Sequence, residues 1–394
     1  MKQSTPQKNK ILIIAAEESS AQYGLRLLEL WKRKGLQVEA FGIGNRAMES
    51  AGFDILGRSE ELAVFGLFEI WAHRKQIKAA FRDIEAAVRE RKPDLVLLMD
   101  YPGFNFRIAR KIKRLGIPIV YFIPPQVWAW KQGRVKFLRE MIDENLVLFP
   151  FEQEFYKKHG VPTSFVGHPL LDEISGSLLD PSVQKLNRRR FGIADGKIVL
   201  GLMPGSRAGE LKHCFETQIE TAKILVSEFP NVQPVILVAP NLDKEAVTAR
   251  LTSLNFPIAL VKAAPFEMIG MTDVILCASG TATLMVGLME KPMIIMYRMN
   301  SLSAAIAKRI VKTPFFGLVN VIVGREIAPE RFQQAATPKL LADLLRPLLA
   351  SENLRREKAV ELSELKSLLG NRGAIERVAA HVEKYFAGAR DAGA

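Results

Sequence analysis

Cysteine is nearly absent from this sequence of 394 residues, since only Cys214 and Cys277 occur. This scarcity excludes a disulfide framework and is typical of a protein that works in a reducing cytosol. Long apolar runs are missing too. The longest, such as residues 95–99 and 235–239, have the length of a strand. A membrane-spanning helix needs roughly 18 apolar residues, so none is predicted, and the polar start gives no sign of a secretory signal.

Metal-binding and hydrolase motifs are also lacking. The five histidines are scattered, no two His or Cys have ligand spacing, and no Asp-x-Asp occurs. We therefore predict no metal and no cofactor. No Gly-x-Ser-x-Gly surrounds Ser206, Ser279 or Ser303, which disfavours serine hydrolysis. No glycine-rich loop ends in Gly-Lys-Ser/Thr, which disfavours a nucleotide triphosphatase.

Basic residues, in contrast, are in excess. Lys and Arg number 55 against 42 Asp and Glu, a formal net charge of +13. This balance favours an anionic partner: nucleic acid, an acidic membrane surface or a phosphorylated substrate. Charge alone does not choose among the three.

Short apolar runs alternate with amphipathic stretches along the chain, which predicts an α/β fold with parallel sheets covered on both faces. Strands are predicted at residues 11–15, 38–42, 95–99, 117–122, 146–148 and 164–166, then at 198–203, 235–238, 259–261, 274–277 and 293–297. Helices are predicted at residues 22–34, 75–91, 107–115, 211–229, 242–254, 281–290, 301–311, 339–349 and 375–386. We expect two doubly wound domains facing a cleft.

The domain boundaries follow from a break in this alternation. Residues 176–196 are polar, with Pro181 and the basic run 188–190, and are interpreted as a linker. The prediction is an N-terminal domain over residues 1–175, a C-terminal domain over 176–345, and closing helices over 346–394. These helices could pack back on the first domain or be exchanged in a dimer.

Two glycine-containing turns follow predicted strands and precede predicted helices. Gly205, Ser206 and Arg207 form the first, and Ser279, Gly280 and Thr281 form the second. Backbone amides at a helix start favour an anion, and an arginine adds a forked donor suited to phosphate. Two such turns together favour a diphosphate. Ordinary turns with a surface arginine and a Ser or Thr cap remain the alternative.

Acidic residues follow two predicted strands in the N-terminal half of the chain. Asp100 follows the strongest strand, where it could act as a general base, or could cap the next turn. Glu17 and Glu18 follow the first strand and could face the cleft or serve as helix-start acids. His168 follows another strand end and could touch a substrate, although a turn hydrogen bond explains it equally well.

Two aromatic stretches complete the pattern. Residues 124–131 place two tryptophans, Trp128 among them, beside several cations. Residues 61–71 are apolar on nearly every side and suit an acyl chain or a membrane surface, or a buried loop or helix. The proposed lipid contacts there are Val64, Phe65, Leu67, Phe68 and Trp71.

Several short segments of the chain, taken in the order in which they occur, resemble the lipid-A-disaccharide synthase family. They are Glu61-Leu-Ala-Val-Phe-Gly-Leu67, Asp100-Tyr-Pro-Gly-Phe-Asn105, Pro125-Gln-Val-Trp-Ala-Trp130, Phe165-Val-Gly-His-Pro169, Pro204-Gly-Ser-Arg207 with Glu210, Ala278-Ser-Gly-Thr281, and Asn320 with Gly324-Arg-Glu326. Each segment is weak evidence, but all of them in one order are specific.

The resemblance implies a GT-B glycosyltransferase that inverts at the anomeric carbon and needs no metal. The implied donor is UDP-2,3-diacylglucosamine and the acceptor 2,3-diacylglucosamine 1-phosphate, used at the anionic inner-membrane surface from the cytoplasm, with a possible homodimer and no nucleic acid. It implies catalytic roles for Asp100 and Glu17. It also adds Asn320 to the diphosphate site, and Trp128 and His168 to the acceptor site.

The sequence departs from the family pattern at three places. The run Ala16-Glu-Glu-Ser-Ser-Ala21 lacks the family's two glycines and an aspartate, Met285 stands where a glutamate usually holds the ribose, and Gly103 replaces a second acid of some members. Two alternatives therefore stay open: a UDP-sugar epimerase of the same fold, and a non-catalytic or altered-donor lipid-binding relative.

Overall fold

The computed structural model describes residues 9–59, 74–252, 256, 258–300 and 313–386. The chain divides into two compact units, Met1–Pro169 with Asn371–Ala394, and Leu170–Gly370. The first division falls shortly before the expected boundary at residue 175. The predicted closing helices over residues 346–394 are divided between the units, because only Asn371–Ala394 belongs to the first unit.

The first unit contains a seven-stranded sheet in the order β3-β2-β1-β4-β5-β6-β7. Its strands are β1 Asn9–Ala15, β2 Val38–Gly44, β3 Asp54–Arg58, β4 Leu95–Met99, β5 Ile119–Phe122, β6 Glu144–Val147 and β7 Thr163–Phe165, and every pairing is parallel. Its helices are α1 Glu18–Arg33, α2 Arg46–Ser50, α3 Arg74–Arg91, α4 Pro102–Lys113, α5 Val135–Met141 and α6 Pro150–Lys158.

The second unit contains a six-stranded parallel sheet in the order β10-β9-β8-β11-β12-β13. Its strands are β8 Ile198–Met203, β9 Val232–Leu237, β10 Ala259–Val261, β11 Val274–Ala278, β12 Met293–Tyr297 and β13 Glu330–Phe332. Its helices are α7 Leu170–Glu173, α8 Pro181–Arg190, α9 Ala208–Glu228, α10 Lys244–Thr252, α11 Pro265–Gly270, α12 Thr281–Leu288, α13 Leu318–Val323, α14 Pro338–Ala350 and α15 Glu352–Leu368. The helix α16, Ala374–Glu383, returns to the first unit.

The apolar strand pattern explains both cores. All five residues of β4 are fully buried, as are those of β1 from Ile11 to Ala15. Such strands are apolar at every position because helices cover both faces of a parallel sheet. The predicted class, two doubly wound parallel sheets, is confirmed. No helix in the described part of the chain is long and apolar enough to cross a bilayer.

The linker predicted over residues 176–196 is wrong, because this segment is folded and packed. It contains a 3-10 turn, Gly176–Leu179, and the helix α8. Asp180 caps α8 by accepting the Ser182 amide at 2.8 Å. The Arg188 guanidinium donates to the Met271 carbonyl at 2.8 Å and pairs with Asp273 at 2.8 Å. These contacts attach the polar helix to the second unit.

The last helix, α16, packs on α1. The Trp31 indole donates to a Glu383 carboxylate oxygen at 3.1 Å, and Lys34 pairs with the same carboxylate at 2.8 Å. Arg377 donates to the Val166 carbonyl at 2.8 Å. The predicted helix over residues 301–311 lies outside the described residues.

Candidate functional site

The strand order reverses at one place in each sheet, between β1 and β4 and between β8 and β11. Ligands of open α/β sheets bind at such switch points, beyond the carboxyl ends of the strands. Glu17 and Asp100 follow the first pair of strands. The two glycine-containing turns, at residues 205–207 and 279–281, follow the second pair. Each unit therefore has two of the four strand-end motifs at its own switch point.

The switch point of the second unit holds a pocket of about 300 Å³. Both turns line it, together with the ends of β9 and β11 and the first turns of α9, α11 and α12. Its lining comprises Met203, Gly205, Ser206, Arg207, Glu210, Leu237, Ala239, Pro240, Asn241, Pro265, Met268, Ala278, Ser279, Gly280, Thr281, Ala282 and Met285. Six of the seven residues predicted to bind the diphosphate are among them.

The first turn requires glycine at position 205. Gly205 has a φ of 121°, and a Cβ there would lie 2.4 Å from the Glu210 Cβ. The turn is fixed from outside by Asn241, whose side-chain amide donates to the Ser206 carbonyl at 2.8 Å. Asn241 was not predicted, because it follows a different strand.

Glu210 occupies the amides that were expected to face an anion. Its carboxylate accepts the Ser206 amide at 2.8 Å and the Arg207 amide at 3.4 Å. Since those donors are taken, an anion at this helix start must either bind the Arg207 guanidinium or displace the carboxylate. Glu210 is therefore the acidic partner that competes with a phosphate in this turn.

In the second turn both donors of Ser279 are engaged, and its amide donates to the Met296 carbonyl at 3.0 Å. The Ser279 hydroxyl donates to the Phe316 carbonyl at 2.9 Å. Gly280 has a φ of 151°, and a Cβ there would meet nothing within 4 Å. Thr281 is the first residue of α12, where backbone amides have no partner inside the helix and the dipole favours negative charge. Met285 lies one turn further on and lines the same pocket.

Asn320 does not line this pocket, and its side chain is fully used elsewhere. It is completely buried. Its amide nitrogen donates to the Ala328 carbonyl at 2.7 Å and to Glu330 at 2.6 Å, and its oxygen accepts the Ile327 and Ala328 amides at 2.9 and 3.0 Å. A carboxamide offers two donors and two acceptors, so no capacity remains for a diphosphate. The structure gives Asn320 an anchoring role instead.

Glu330 connects this anchor to the pocket. Its carboxylate accepts the Phe316 and Gly317 amides at 3.0 and 2.9 Å in addition to the Asn320 bond. Burial raises the pKa of Glu330. Because the Phe316 carbonyl orients the Ser279 hydroxyl, Glu330 and Asn320 together position the second turn. Sequence reasoning missed Glu330, which lies on the edge strand β13.

In the first unit, Asp100 is held in an unusual backbone conformation. Its φ is 46°, and that of Tyr101 is 40°. The Asp100 carbonyl accepts the Asn105 amide and the Tyr121 hydroxyl, both at 2.6 Å. Burial raises the pKa of Tyr121 well above its usual range, so the hydroxyl keeps its proton and donates. The Asp100 carboxylate accepts the Tyr101 amide at 2.8 Å, which fixes its orientation.

Glu17 lies at the same switch point, as the residue that precedes α1. Its amide donates to the Ser20 hydroxyl at 3.1 Å, and that hydroxyl donates to the Glu17 carbonyl at 2.8 Å. Burial, and next the charge of Glu17, raise the pKa of Tyr101. Glu17 thus acts electrostatically on the residue beside Asp100. Glu18 instead accepts the Asn45 amide at 3.3 Å.

Trp128 is joined to a buried acid that the sequence did not single out. Its indole donates to Glu152 at 2.9 Å, and its ring meets Phe151 edge-on at 4.9 Å. Glu152 also accepts the Leu148 and Phe149 amides. Burial raises the pKa of Glu152 to about 7 despite these hydrogen bonds. The sequence feature that could have identified Glu152 is its position, since it is an acid in the first turn of a helix that follows a strand.

His168 is a buried histidine. It is 4% exposed, its ring lies 5.6 Å from that of Phe149, and burial lowers its pKa to about 3. A neutral imidazole in this position fits a structural role better than contact with an acceptor. The predicted lipid contacts Val64, Phe65, Leu67, Phe68 and Trp71 lie outside the described residues.

The fold has relatives among solved structures. The glycotransferase of kitacinnamycin matches with a TM-score of 0.62 and 16% identity, over 97% of this chain and 100% of its own. A UDP-GlcNAc 2-epimerase from Neisseria meningitidis matches with a TM-score of 0.60 and 12% identity, over 95% and 99%. These likenesses define the GT-B class of fold, shared by glycosyltransferases and epimerases.

The sequence distinguishes between them. Residues 11–384 match the family described as Lipid-A-disaccharide synthetase. A Lipid-A-disaccharide synthase from Anaeromyxobacter dehalogenans (strain 2CP-C) is 36% identical over 375 residues, which cover 95% of this chain and 97% of the relative. The chain belongs to the lipid-A-disaccharide synthase family and is therefore a glycosyltransferase. The likeness to epimerases extends to the fold alone.

Proposed function

We propose that the protein transfers 2,3-diacylglucosamine from UDP-2,3-diacylglucosamine to 2,3-diacylglucosamine 1-phosphate. The products are the β-1,6-linked disaccharide 1-phosphate, the lipid A precursor, and UDP. The observation that carries this proposal is the pocket at the switch point of the second unit, where two helix starts and Arg207 converge on one space. Such a constellation suits a diphosphate whose negative charge grows as the bond to the sugar breaks.

In this proposal Asp100 accepts the proton of the acceptor hydroxyl as the oxygen attacks the anomeric carbon. Attack opposite the leaving UDP inverts the configuration of that carbon. Tyr101 and Glu17 shape the surroundings of the Asp100 carboxylate. Arg207, with the amides at Gly280 and Thr281, stabilises the departing diphosphate, while Met285 packs against the nucleoside.

The lipid substrates define the setting. We propose that the protein works on the cytoplasmic face of the inner membrane, attached peripherally, and that residues 64–71 and Trp128 contact acyl chains. The net charge of +13 suits phosphorylated lipids and an anionic leaflet. Two chains could associate as a homodimer, and no nucleic acid takes part.

The test is an incubation of the purified protein with UDP-2,3-diacylglucosamine and 2,3-diacylglucosamine 1-phosphate dispersed in detergent, with products identified by mass spectrometry. We expect a disaccharide 1-phosphate and one UDP per turnover. The matched control is Arg207→Ala, which should lower turnover about a hundredfold because one charge-assisted donor to the leaving group is lost. UDP release without a disaccharide would favour the epimerase alternative, and no heat on titration with UDP would favour a non-catalytic relative.

A further inference from the structure

A long part of the first unit carries positive charge only. Residues 101–139 contain nine lysines and arginines and no aspartate or glutamate. The nine are Arg107, Arg110, Lys111, Lys113, Arg114, Lys131, Arg134, Lys136 and Arg139. This stretch accounts for most of the excess charge of the whole chain, so the basic character is local rather than general.

Acids neutralise only a minority of these cations. Lys111 pairs with Glu85 at 2.5 Å, Lys113 pairs with Asp143 at 2.7 Å, and Lys136 lies 3.9 Å from Glu140. The other six are ion-paired with no acid in the part of the chain that the structure describes. Two of these, Arg107 and Arg110, recur at the spacing of one face of α4, and Arg114 directly follows that helix.

Several of the unpaired cations lie on aromatic rings at the surface. Trp130 is 39% exposed, and the Lys131 Nζ lies 4.4 Å from its ring centroid. The Arg134 guanidinium lies 5.6 Å from the same ring and 5.4 Å from that of Phe106. An exposed tryptophan bracketed by two cations is thus fixed where solvent reaches it.

Arg134 links Trp130 to a second pair of aromatic rings. The rings of Phe106 and Phe137 lie 4.3 Å apart, and Arg110 lies 5.0 Å over the Phe137 ring. We name this surface the Trp130 patch. It consists of Phe106, Arg110, Trp130, Lys131, Arg134 and Phe137.

We propose that the Trp130 patch docks the first unit onto an anionic lipid surface. Tryptophan favours the boundary between headgroups and acyl chains, and Lys and Arg can lay their apolar stems on rings while their charges reach lipid phosphates. A nucleic-acid surface would stack bases on open ring faces, whereas here Lys131, Arg134 and Arg110 lie over the rings. The choice of a lipid rests on the proposed function, whose substrates are membrane lipids.

The experiment is co-sedimentation of the full chain with vesicles of phosphatidylethanolamine and phosphatidylglycerol, compared with vesicles of phosphatidylcholine alone. The variant Lys131→Gln/Arg134→Gln should bind the anionic vesicles about 30-fold more weakly, since each cation near such a surface contributes roughly fivefold. The matched control is Lys157→Gln/Lys158→Gln, which removes two exposed charges from α6 of the same unit and should bind like the unaltered protein. Trp130→Ala should weaken binding to the anionic vesicles without changing its salt dependence.

Thermal unfolding and UDP titration of each variant verify that it is folded. Equal vesicle binding by the patch variant and the control would overturn the proposal, and so would tight binding of polyuridylate with no binding of vesicles. Transfer in detergent is measured in parallel. Absence of transfer by the unaltered protein contradicts the proposed function, while loss of vesicle binding alone bears only on the patch.

Discussion

The two switch points turn the chain in different ways. In the first unit, β4 is followed by Asp100 and Tyr101 at φ values of 46° and 40°. In the second unit, the corresponding turns use Gly205 and Gly280 at φ values of 121° and 151°. Glycine adopts positive φ without steric cost, whereas each of the other residues costs about 1–3 kcal/mol.

Under the proposed function, this difference follows from what each site contributes. A diphosphate pocket works through backbone amides and close approach, so side chains at the turn would be in the way. A general base works through its own carboxylate. Position 100 must therefore carry a side chain even though its backbone conformation favours glycine. The first unit holds Asp100 in place with the hydrogen bonds that Asn105 and Tyr121 donate to its carbonyl.

The largest effect is expected at Asp100. Asp100→Asn keeps the shape and removes the base, so turnover should fall about 10²–10⁴-fold with UDP affinity unchanged. Asp100→Gly should lose activity equally while keeping or gaining thermal stability, because glycine relieves the positive φ. Steady-state kinetics and thermal unfolding measure both. Stability lost in the glycine variant would show that the backbone at this position is not strained.

The next effect concerns Glu152, another unfavourable group in the first unit. Its pKa is raised from 4.5 to about 7 by burial. An unfolded chain loses this proton first, so native stability should decrease as the pH rises from 4.5 to 7, by roughly 3 kcal/mol in total. In Glu152→Gln this contribution disappears, and the free energy of unfolding relative to the unaltered protein should rise over that window.

Chemical denaturation at several pH values measures this difference, which is independent of any constant offset from the altered hydrogen bonds. The matched control is Glu154→Gln, an exposed acid on the same helix. Parallel pH profiles for Glu152→Gln and the unaltered protein would mean that Glu152 is ionised at the same pH in the folded and unfolded states.

The glycine side of the comparison is tested by Gly205→Ala. The new Cβ would meet the Glu210 side chain at a φ of 121°, so the turn must shift and UDP affinity should fall at least about tenfold. Gly209→Ala is the control, because nothing lies within 4 Å of its Cβ position and alanine suits a helix. Calorimetric titration with UDP measures both variants. Equal affinities would remove the argument that this turn needs glycine.

The smallest and most specific change is Met285→Glu. A carboxylate at this position would supply the strong acceptor that the family uses for the ribose, so UDP should bind about 1–3 kcal/mol more tightly. Met285→Gln, with the same length and no charge, should gain less. Titration with UDP measures both, and weaker binding in the glutamate variant would mean that the pocket holds its nucleoside differently.

The sequence was sufficient for those parts of the site that depend on local order. Buried strands and the turns after them could be recognised, and the structure has Asp100 directly after β4 and Arg207 in the turn between β8 and α9; their roles stay predictions. Glu210 could have been read as a helix-capping acid, since it lies three residues after Arg207. The role of Glu330 could not be recognised from the sequence, because its link to Ser279 runs through the backbone of Phe316, which is distant along the chain from Ser279.

Two of the helices that the sequence did not predict, α15 and α8, have polar surfaces on most sides. In α15, Glu352–Leu368, only Leu362 and Leu365 are buried, so the apolar spacing is weak. In α8 the helix start was indicated by Asp180 as N-cap and Pro181 as first helical residue. The polar composition of the segment favoured a linker instead. Asn320 was assigned to the diphosphate from the resemblance, whereas its four hydrogen bonds define it as an anchor of the loop before β13.

The return of α16 to the first unit has a consequence for biosynthesis. Trp31, 1% exposed, owes part of its cover to Glu383 and Phe386, and Glu383 lies 352 residues further along the chain. On the ribosome, the first unit must wait with an incomplete core until residues 371–386 have been synthesised. A truncation near residue 370 would therefore damage the unit that was made first, and translation that stalls late leaves its tryptophan uncovered for chaperones and proteases.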